Sequence, residues 1–254
     1  MTASRFDPSR PSPDGRCYRT LAAPDFSRQR RKIETSFLIS IDFVEYRLPR
    51  FGNDRCACRV WEIDELARLS VLGISGGVST PSRTTAVVNA LVKDVALRVP
   101  ADTGLIEITE AAPSLFVGLS RGALGASGEA IIQRVEKADL LVVGTPVYRA
   151  SYTGALKHLF DLVDYRALAG KTVLLAATGG SPYHGLVLEH QLRPLFGFFS
   201  AVTVPTGVYG APDDFIGAEI VGEAIRERIS RAASEAVSLL NSNHANAAAA
   251  ARVG

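Results

Sequence analysis

Cysteine is scarce. The 254-residue chain holds three, Cys17, Cys56 and Cys58, and none follows. A disulfide framework is thereby excluded for everything downstream of residue 58. Cys56-Ala57-Cys58 has no second Cys or His pair at zinc spacing nearby, so incidental thiols are the first reading and a metal or redox pair the second. Long apolar runs are lacking as well. No stretch approaches the roughly 18 unbroken apolar residues of a membrane span, and the first residues carry no apolar leader core. No membrane partner is expected. Charge of one sign is lacking too: the formal net charge is +2, which demands no nucleic-acid partner. The four histidines show no ligand spacing and no Ser-His-Asp set stands out, so no metal is expected. A body without cysteine suits a reducing, cytoplasmic setting.

Apolar material is plentiful, with 47% hydrophobic residues, but it is unevenly placed. Residues 1–34 are rich in Pro, Ser and Arg, include RQRRK, and cannot bury enough apolar surface to offset the entropy of ordering. Phe37–Leu48 reads as a strand without a clear partner. Residues 1–68 are therefore expected to be an extension that is poorly ordered or precedes the natural start, near Leu69. Met1 is the only methionine, so such a start would need a different initiation codon. Acids at Asp7, Asp14 and Asp25 argue against a targeting peptide.

From Leu69 the pattern is regular. Strand-like runs LSVLGIS, GLIEIT, DLLVVGT, KTVLLAAT and VTVPTGVY alternate with helical periodicity over residues 82–99, 128–138, 153–163, 184–199 and 218–240. Strands alternating with helices imply right-handed crossovers and a parallel sheet. The runs are nearly continuous in apolar residues, as strands covered on both faces require. The expectation is an α/β body over 69–240: a flavodoxin-like, five-stranded parallel sheet of order 2-1-3-4-5, with helices on both faces. Residues 241–254 read as a flexible tail.

In that order, ligands sit past the carboxyl ends of strands 1, 3 and 4. After strand 1 comes SGGVSTPSRTT, Ser75–Thr85. Thr80 or Ser82 can cap the next helix, with Pro81 suited to its first turn. Hydroxyls, Arg83 and a helix start can hold a phosphate, and an ordinary capped turn is the plainer reading. GK[ST] is missing and Gly73, Gly76 and Gly77 do not make G-x-G-x-x-G. After strand 3, Thr145, Pro146, Val147 and Tyr148 can line a ledge against a flat ring, with Gly154 allowing close backbone approach. A plain turn with packed tyrosines is the alternative. After strand 4, Thr178, Gly179 and Gly180 offer N–H groups with little side-chain bulk, and His184 reads as a helix-start residue. A phosphate cradle, an apolar shelf and a backbone-donor edge together describe a site for flavin mononucleotide. Its poverty in charge fits hydride transfer, which needs no acid–base pair from the protein.

PSRTT, GTPVYRASYTGALKHLFDLVD, LAGKTVLLAATGGS and LVLEHQLRPLFGFFSAVTVPTGVYG resemble the NAD(P)H-dependent FMN reductase family, and most of all the reductase components of two-component alkanesulfonate and methanesulfonate monooxygenases. The likeness covers about residues 69–240. It implies FMN as loosely bound group or substrate, NADH or NADPH as donor, delivery of reduced flavin to a monooxygenase, and a homodimer or homotetramer. By matching positions, Ser75, Ser82, Arg83, Thr84 and Thr85 would surround the phosphate. Thr145, Pro146, Val147, Tyr148, Thr178, Gly179 and Gly180 would surround the isoalloxazine. The first loop is about two residues longer than in some relatives, which loosens the assignment of single phosphate ligands. Pro194 falls inside a helical pattern and cannot donate to the carbonyl of His190, and a wide π-type turn would relieve the crowding. In similar reductases an inserted residue here is associated with a π-helix at the subunit interface and with transferable flavin, and His190 matches it; a plain proline kink is the other reading. A flavin-retaining quinone or azo reductase, or a flavodoxin-type electron carrier, are the competing functions. Arg149 is the candidate for meeting a 2′-phosphate.

Overall fold

The computed structural model describes residues 68–250. The extension over 1–68 lies outside the described residues but for Arg68, as do Cys17, Cys56, Cys58 and residues 251–254.

Four strands follow the continuous apolar runs or their borders: β1 (Leu69–Ser75), β2 (Ala101–Glu107), β3 (Leu140–Pro146) and β4 (Thr172–Thr178). With β5 (Val202–Thr203) they form a parallel sheet of order β2-β1-β3-β4-β5. The reason for unbroken apolarity is visible in β3. Leu140 and Val142 face one core, Leu141 and Val143 the other, and all four are inaccessible to solvent. One core is closed by α1 (Arg83–Ala96) and α6 (Glu223–Ala250), through Val88, Leu91, Ile229 and Ala233. The other is closed by α2 (Ile108–Leu115), α3 (Ala126–Lys137), α4 (Gly154–Leu162) and α5 (Arg193–Phe198), through Leu115, Ile132, Leu159 and Phe196.

The observed elements differ from the expected ones in several places. VTVPTGVY is not one strand: β5 pairs with the start of β4, and β6 (Val208–Gly210) with its end. Pro205 lies between them and has no N–H for the ladder. Helix α2 follows β2 directly, where a strand was expected to run on to Thr109. The last helix starts at Glu223, not at 218, because a hairpin intervenes, β7 (Phe215–Ile216) with β8 (Glu219–Ile220). The helix expected over 184–199 is composite: a tight 3₁₀ stretch over Pro182–Leu186, a π-turn over Leu188–Leu192, then α5. In that π-turn Arg193 N–H donates to Leu188 C=O, five residues back, so the lost proline donor is accommodated by widening the turn. Helix α6 runs on to Ala250, into the stretch read as a tail.

Candidate flavin site

Three loops leave the carboxyl ends of β1, β3 and β4, and hydroxyl groups lash them together. Ser75 and Thr85 share a 2.8 Å hydrogen bond, and Thr84 and Thr178 one of 2.7 Å. Thr153 caps α4, donates its hydroxyl to Gly76 C=O, and donates its backbone N–H to Thr145 Oγ1 at 3.1 Å. Val147 N–H donates to Thr178 C=O at 2.8 Å. Such bonds contribute about 1 kcal/mol each when buried. Among the described residues no buried side-chain nitrogen or oxygen lacks a partner. The rim is thus held rigid before any ligand arrives.

The loops enclose a cleft of about 440 Å³. Ser82, Arg83 and Thr84 from the first loop, Pro146, Val147 and Tyr148 from the second, and Thr178, Gly179 and Gly180 from the third all line it. Ser75, Thr85 and Thr145 do not. Ser75 and Thr145 are buried, and all three brace the loops through the bonds above. Gly77, Ser79, Pro81 and Gly217 line the cleft and were missed from sequence. Gly77 is signalled by its neighbourhood: a Cβ there would lie 2.5 Å from Ser82 Oγ, so only glycine lets the loop fold onto the helix cap. Gly217 carried no sequence signal beyond FIGAEI, a glycine between Ile216 and Ala218.

Each pole of the cleft has its own chemistry. At the first, Ser82 caps α1 by accepting from Thr85 N–H at 3.1 Å, while Pro81 precedes the cap instead of opening the helix. The first N–H groups of α1 have no intrahelical acceptor and favour an anion. Arg83 is the one charged side chain among those lining the cleft. At the other pole, Gly180 presents backbone without bulk, and a Cβ built there meets no protein atom within 4 Å. Tyr209 fixes this loop from behind by donating to Ser181 C=O at 2.5 Å. Burial, aided by Asp214, raises the Tyr209 phenol above its ordinary range against the opposing pull of that bond, so it stays a donor. Tyr148 sits at the rim on a two-residue turn closed by Tyr148 N–H to Ser151 C=O at 2.9 Å and the reciprocal bond at 3.0 Å. The two central residues, Arg149 and Ala150, are left-handed at φ 50° and 64°, a costly conformation for non-glycine residues. Arg149 is exposed and does not line the cleft.

A smaller cavity of about 200 Å³ shares Val147 with the cleft and is lined by His184, His190 and Gln191. Ser151 Oγ donates to Gln191 Oε1 at 3.2 Å, tying the Tyr148 turn to the π-turn. The π-turn is anchored on its other flank by Arg193, which bonds Glu189, Thr203 Oγ1 and the carbonyls of Val204 and Pro205. The Arg193 guanidinium holds the Glu189 carboxyl below its ordinary range.

A group with an anionic end, a flat apolar body and a polar edge fits these walls, and they hold no acid–base pair. Residues 69–215 match the model of the NADPH-dependent FMN reductases. The chain belongs to that family. Among other members, the NADH-dependent FMN reductase SfnF of Pseudomonas fluorescens is 50% identical over 175 residues, 69% of this chain and 94% of that protein. The FMN reductase (NADPH) of Pseudomonas aeruginosa is 48% identical, over 66% of this chain and 91% of that one. A solved oxidoreductase from Corynebacterium diphtheriae is 39% identical with a TM-score of 0.61, covering 69% of this chain and 98% of its own. Among the described residues no group of three or more His, Cys, Asp or Glu could hold a metal, and no helix is long and apolar enough to cross a membrane.

Proposed function

We propose that this FMN reductase draws hydride from NADH or NADPH, reduces FMN in the cleft, and releases the reduced flavin to a separate monooxygenase, with a sulfonate oxygenase as the leading partner. The observation that carries the reading is the convergence of Ser82, Tyr148 and Gly179, from three different crossovers, on one cleft with a single cation. FMN supplies the redox chemistry by accepting hydride at its ring system. The chain supplies the rest. Ser82, Arg83 and the start of α1 hold the phosphate; Pro146, Val147 and Tyr148 support the ring; Gly180 offers its polar edge a backbone donor, since the Gly179 N–H read as free from sequence is taken by Gly210 C=O at 3.2 Å, and both glycines keep side chains away. The reaction belongs in the cytoplasm, where reduced nicotinamides are made. Exposed Leu186 and Phe198 support assembly into a homodimer or homotetramer, unlike the usual acidic, monomeric flavodoxin.

Steady-state oxidation of NADH and of NADPH at varied free FMN tests this. Saturation by free FMN, with protein that is colourless after desalting, is the expected result. A flavin that survives desalting would favour the quinone or azo reductase, and no oxidation at all the electron carrier.

His190 lies in the middle of the π-turn, and Gln191 beside it holds the Tyr148 turn. Deleting His190 lets the helix return to α spacing and moves Gln191 away from Ser151. FMN retention is expected to tighten by about fivefold, a shift of ~1 kcal/mol, with slower transfer to an acceptor. Fluorescence titration and stopped-flow release measure both; no change in either removes His190 from flavin handling.

A further inference from the structure

The β7–β8 hairpin is built with more care than a connector requires. Its base is fixed on several sides. Phe215 is buried in the core that contains Ile225, and Gly210 leaves room for it, since a Cβ at Gly210 would lie 2.6 Å from the Phe215 ring. Val221 and Gly222 N–H donate to Asp214 C=O at 2.8 and 3.2 Å, and Ala211 N–H donates to Asp214 Oδ2 at 2.8 Å. Arg226 Nη2 donates to Ile220 C=O at 2.5 Å. The tip turns through Gly217 at φ 62°, where a β-branched residue is strongly disfavoured.

That tip meets the cleft. Arg83 Nε donates to Gly217 C=O at 3.0 Å, across 134 residues of sequence, and the guanidinium carbon lies 5.5 Å from the centre of the Phe215 ring. Arg83 and Gly217 both line the cleft. A guanidinium carries five N–H donors in one plane. With Nε given to Gly217, the two terminal nitrogens have no protein acceptor among the described residues. The Nε bond and the ring together fix the plane of the group. A loose arginine would lose rotamer freedom on meeting an anion, and one already held loses less.

We propose that the β7–β8 hairpin, through Gly217 C=O and the Phe215 ring, positions Arg83 for the phosphate of the flavin and so sets the preference for FMN over riboflavin. This rests on the flavin reading above. Phe215 and Gly217 are positioning residues that act through Arg83. Riboflavin lacks the phosphate and presents nothing for the oriented guanidinium to hold.

The test is a set of dissociation constants for FMN and riboflavin, read by flavin fluorescence on the full chain. Phe215→Leu keeps an apolar side chain but removes the ring face, and Gly217→Val cannot hold the left-handed turn. Each is expected to weaken FMN by roughly threefold to fivefold, the size of one cation–π contact, with riboflavin unchanged within about twofold. Gly217→Asn, which tolerates the left-handed turn at similar bulk, should restore FMN binding. In an Arg83→Gln background Phe215→Leu should have no further effect on FMN. Equal losses for both flavins, or the same Phe215→Leu loss in Arg83→Gln, would overturn the positioning role alone. A wild-type protein that binds riboflavin as tightly as FMN would overturn the phosphate reading beneath it.

Discussion

Gly180→Val is expected to lower FMN affinity by up to about a hundredfold while moving the thermal midpoint by no more than ~2 °C. The asymmetry follows from where the new side chain goes. Gly180 lines the cleft, and an added Cβ meets no protein atom within 4 Å. Its φ lies outside the left-handed region, so valine adds no such backbone strain. The added side chain therefore starts into open space and competes with an occupant of the cleft. Forcing extra carbons into a filled space costs about 1–3 kcal/mol, which at its upper end is a hundredfold in affinity. The neighbouring glycine cannot serve as well, because a Cβ at Gly179 would lie 2.5 Å from the Tyr209 hydroxyl and disturb the loop itself. Fluorescence titration with FMN and thermal unfolding of the same preparation decide the matter. Unchanged affinity with unchanged stability would put the flavin edge elsewhere.

The residues best read from sequence are those whose local chemistry leaves few choices. LSVLGIS is β1 without adjustment, because an unbroken apolar run closed by a hydroxyl-rich loop has one comfortable place, the middle of a parallel sheet. Pro194 pointed to a π-turn or a kink, since a missing donor inside a helix must be accommodated somewhere, and the structure shows the π-turn. What escaped depends on contacts made far along the chain. Helix α2 carries Pro113 and opens on Ile108-Thr109, residues that suit a strand; it is helical because Ile108, Ala111 and Leu115 bury against the core beneath β2. The hairpin was hidden by apolar residues at 216 and 220, which continue a helical period into α6. Only the Asp214 and Phe215 contacts reveal it.

The same division runs through the site. Arg83, Ser82 and Pro146 were visible because each lies between a strand's carboxyl end and the first turn of the helix that follows. Ser75, Thr85 and Thr145 look identical to ligands on that criterion. They are held within their own crossovers, Ser75 and Thr85 by each other and Thr145 by Thr153 N–H, a pairing that composition cannot show. None of the three lines the cleft.

Phe196→Ala carries the largest expected loss of stability, about 3–5 kcal/mol. Phe196 is inaccessible to solvent and stands edge-on to Phe160, ring centres 5.0 Å apart at 85°, with Phe199 at 6.5 Å. Truncation removes that ring from a core which cannot close over the space, since Leu188 and Leu192 of the π-turn and Leu159 of α4 are buried in the same cluster. At ~2–4 °C per kcal/mol for a body of this size, the midpoint should fall by at least ~6 °C in thermal unfolding of the full chain. Phe198, two residues on and largely exposed, is the internal comparison: Phe198→Ala should cost the isolated chain no more than about 0.5 kcal/mol. A Phe196 loss as small as that of Phe198 would mean the aromatic cluster is not packed as described. The link to function is mechanical. The π-turn that carries His190 and Gln191 rests on the aromatic cluster from one side and is pinned by Arg193 from the other. Loosening the cluster should therefore free the turn that steadies Tyr148 at the mouth of the cleft.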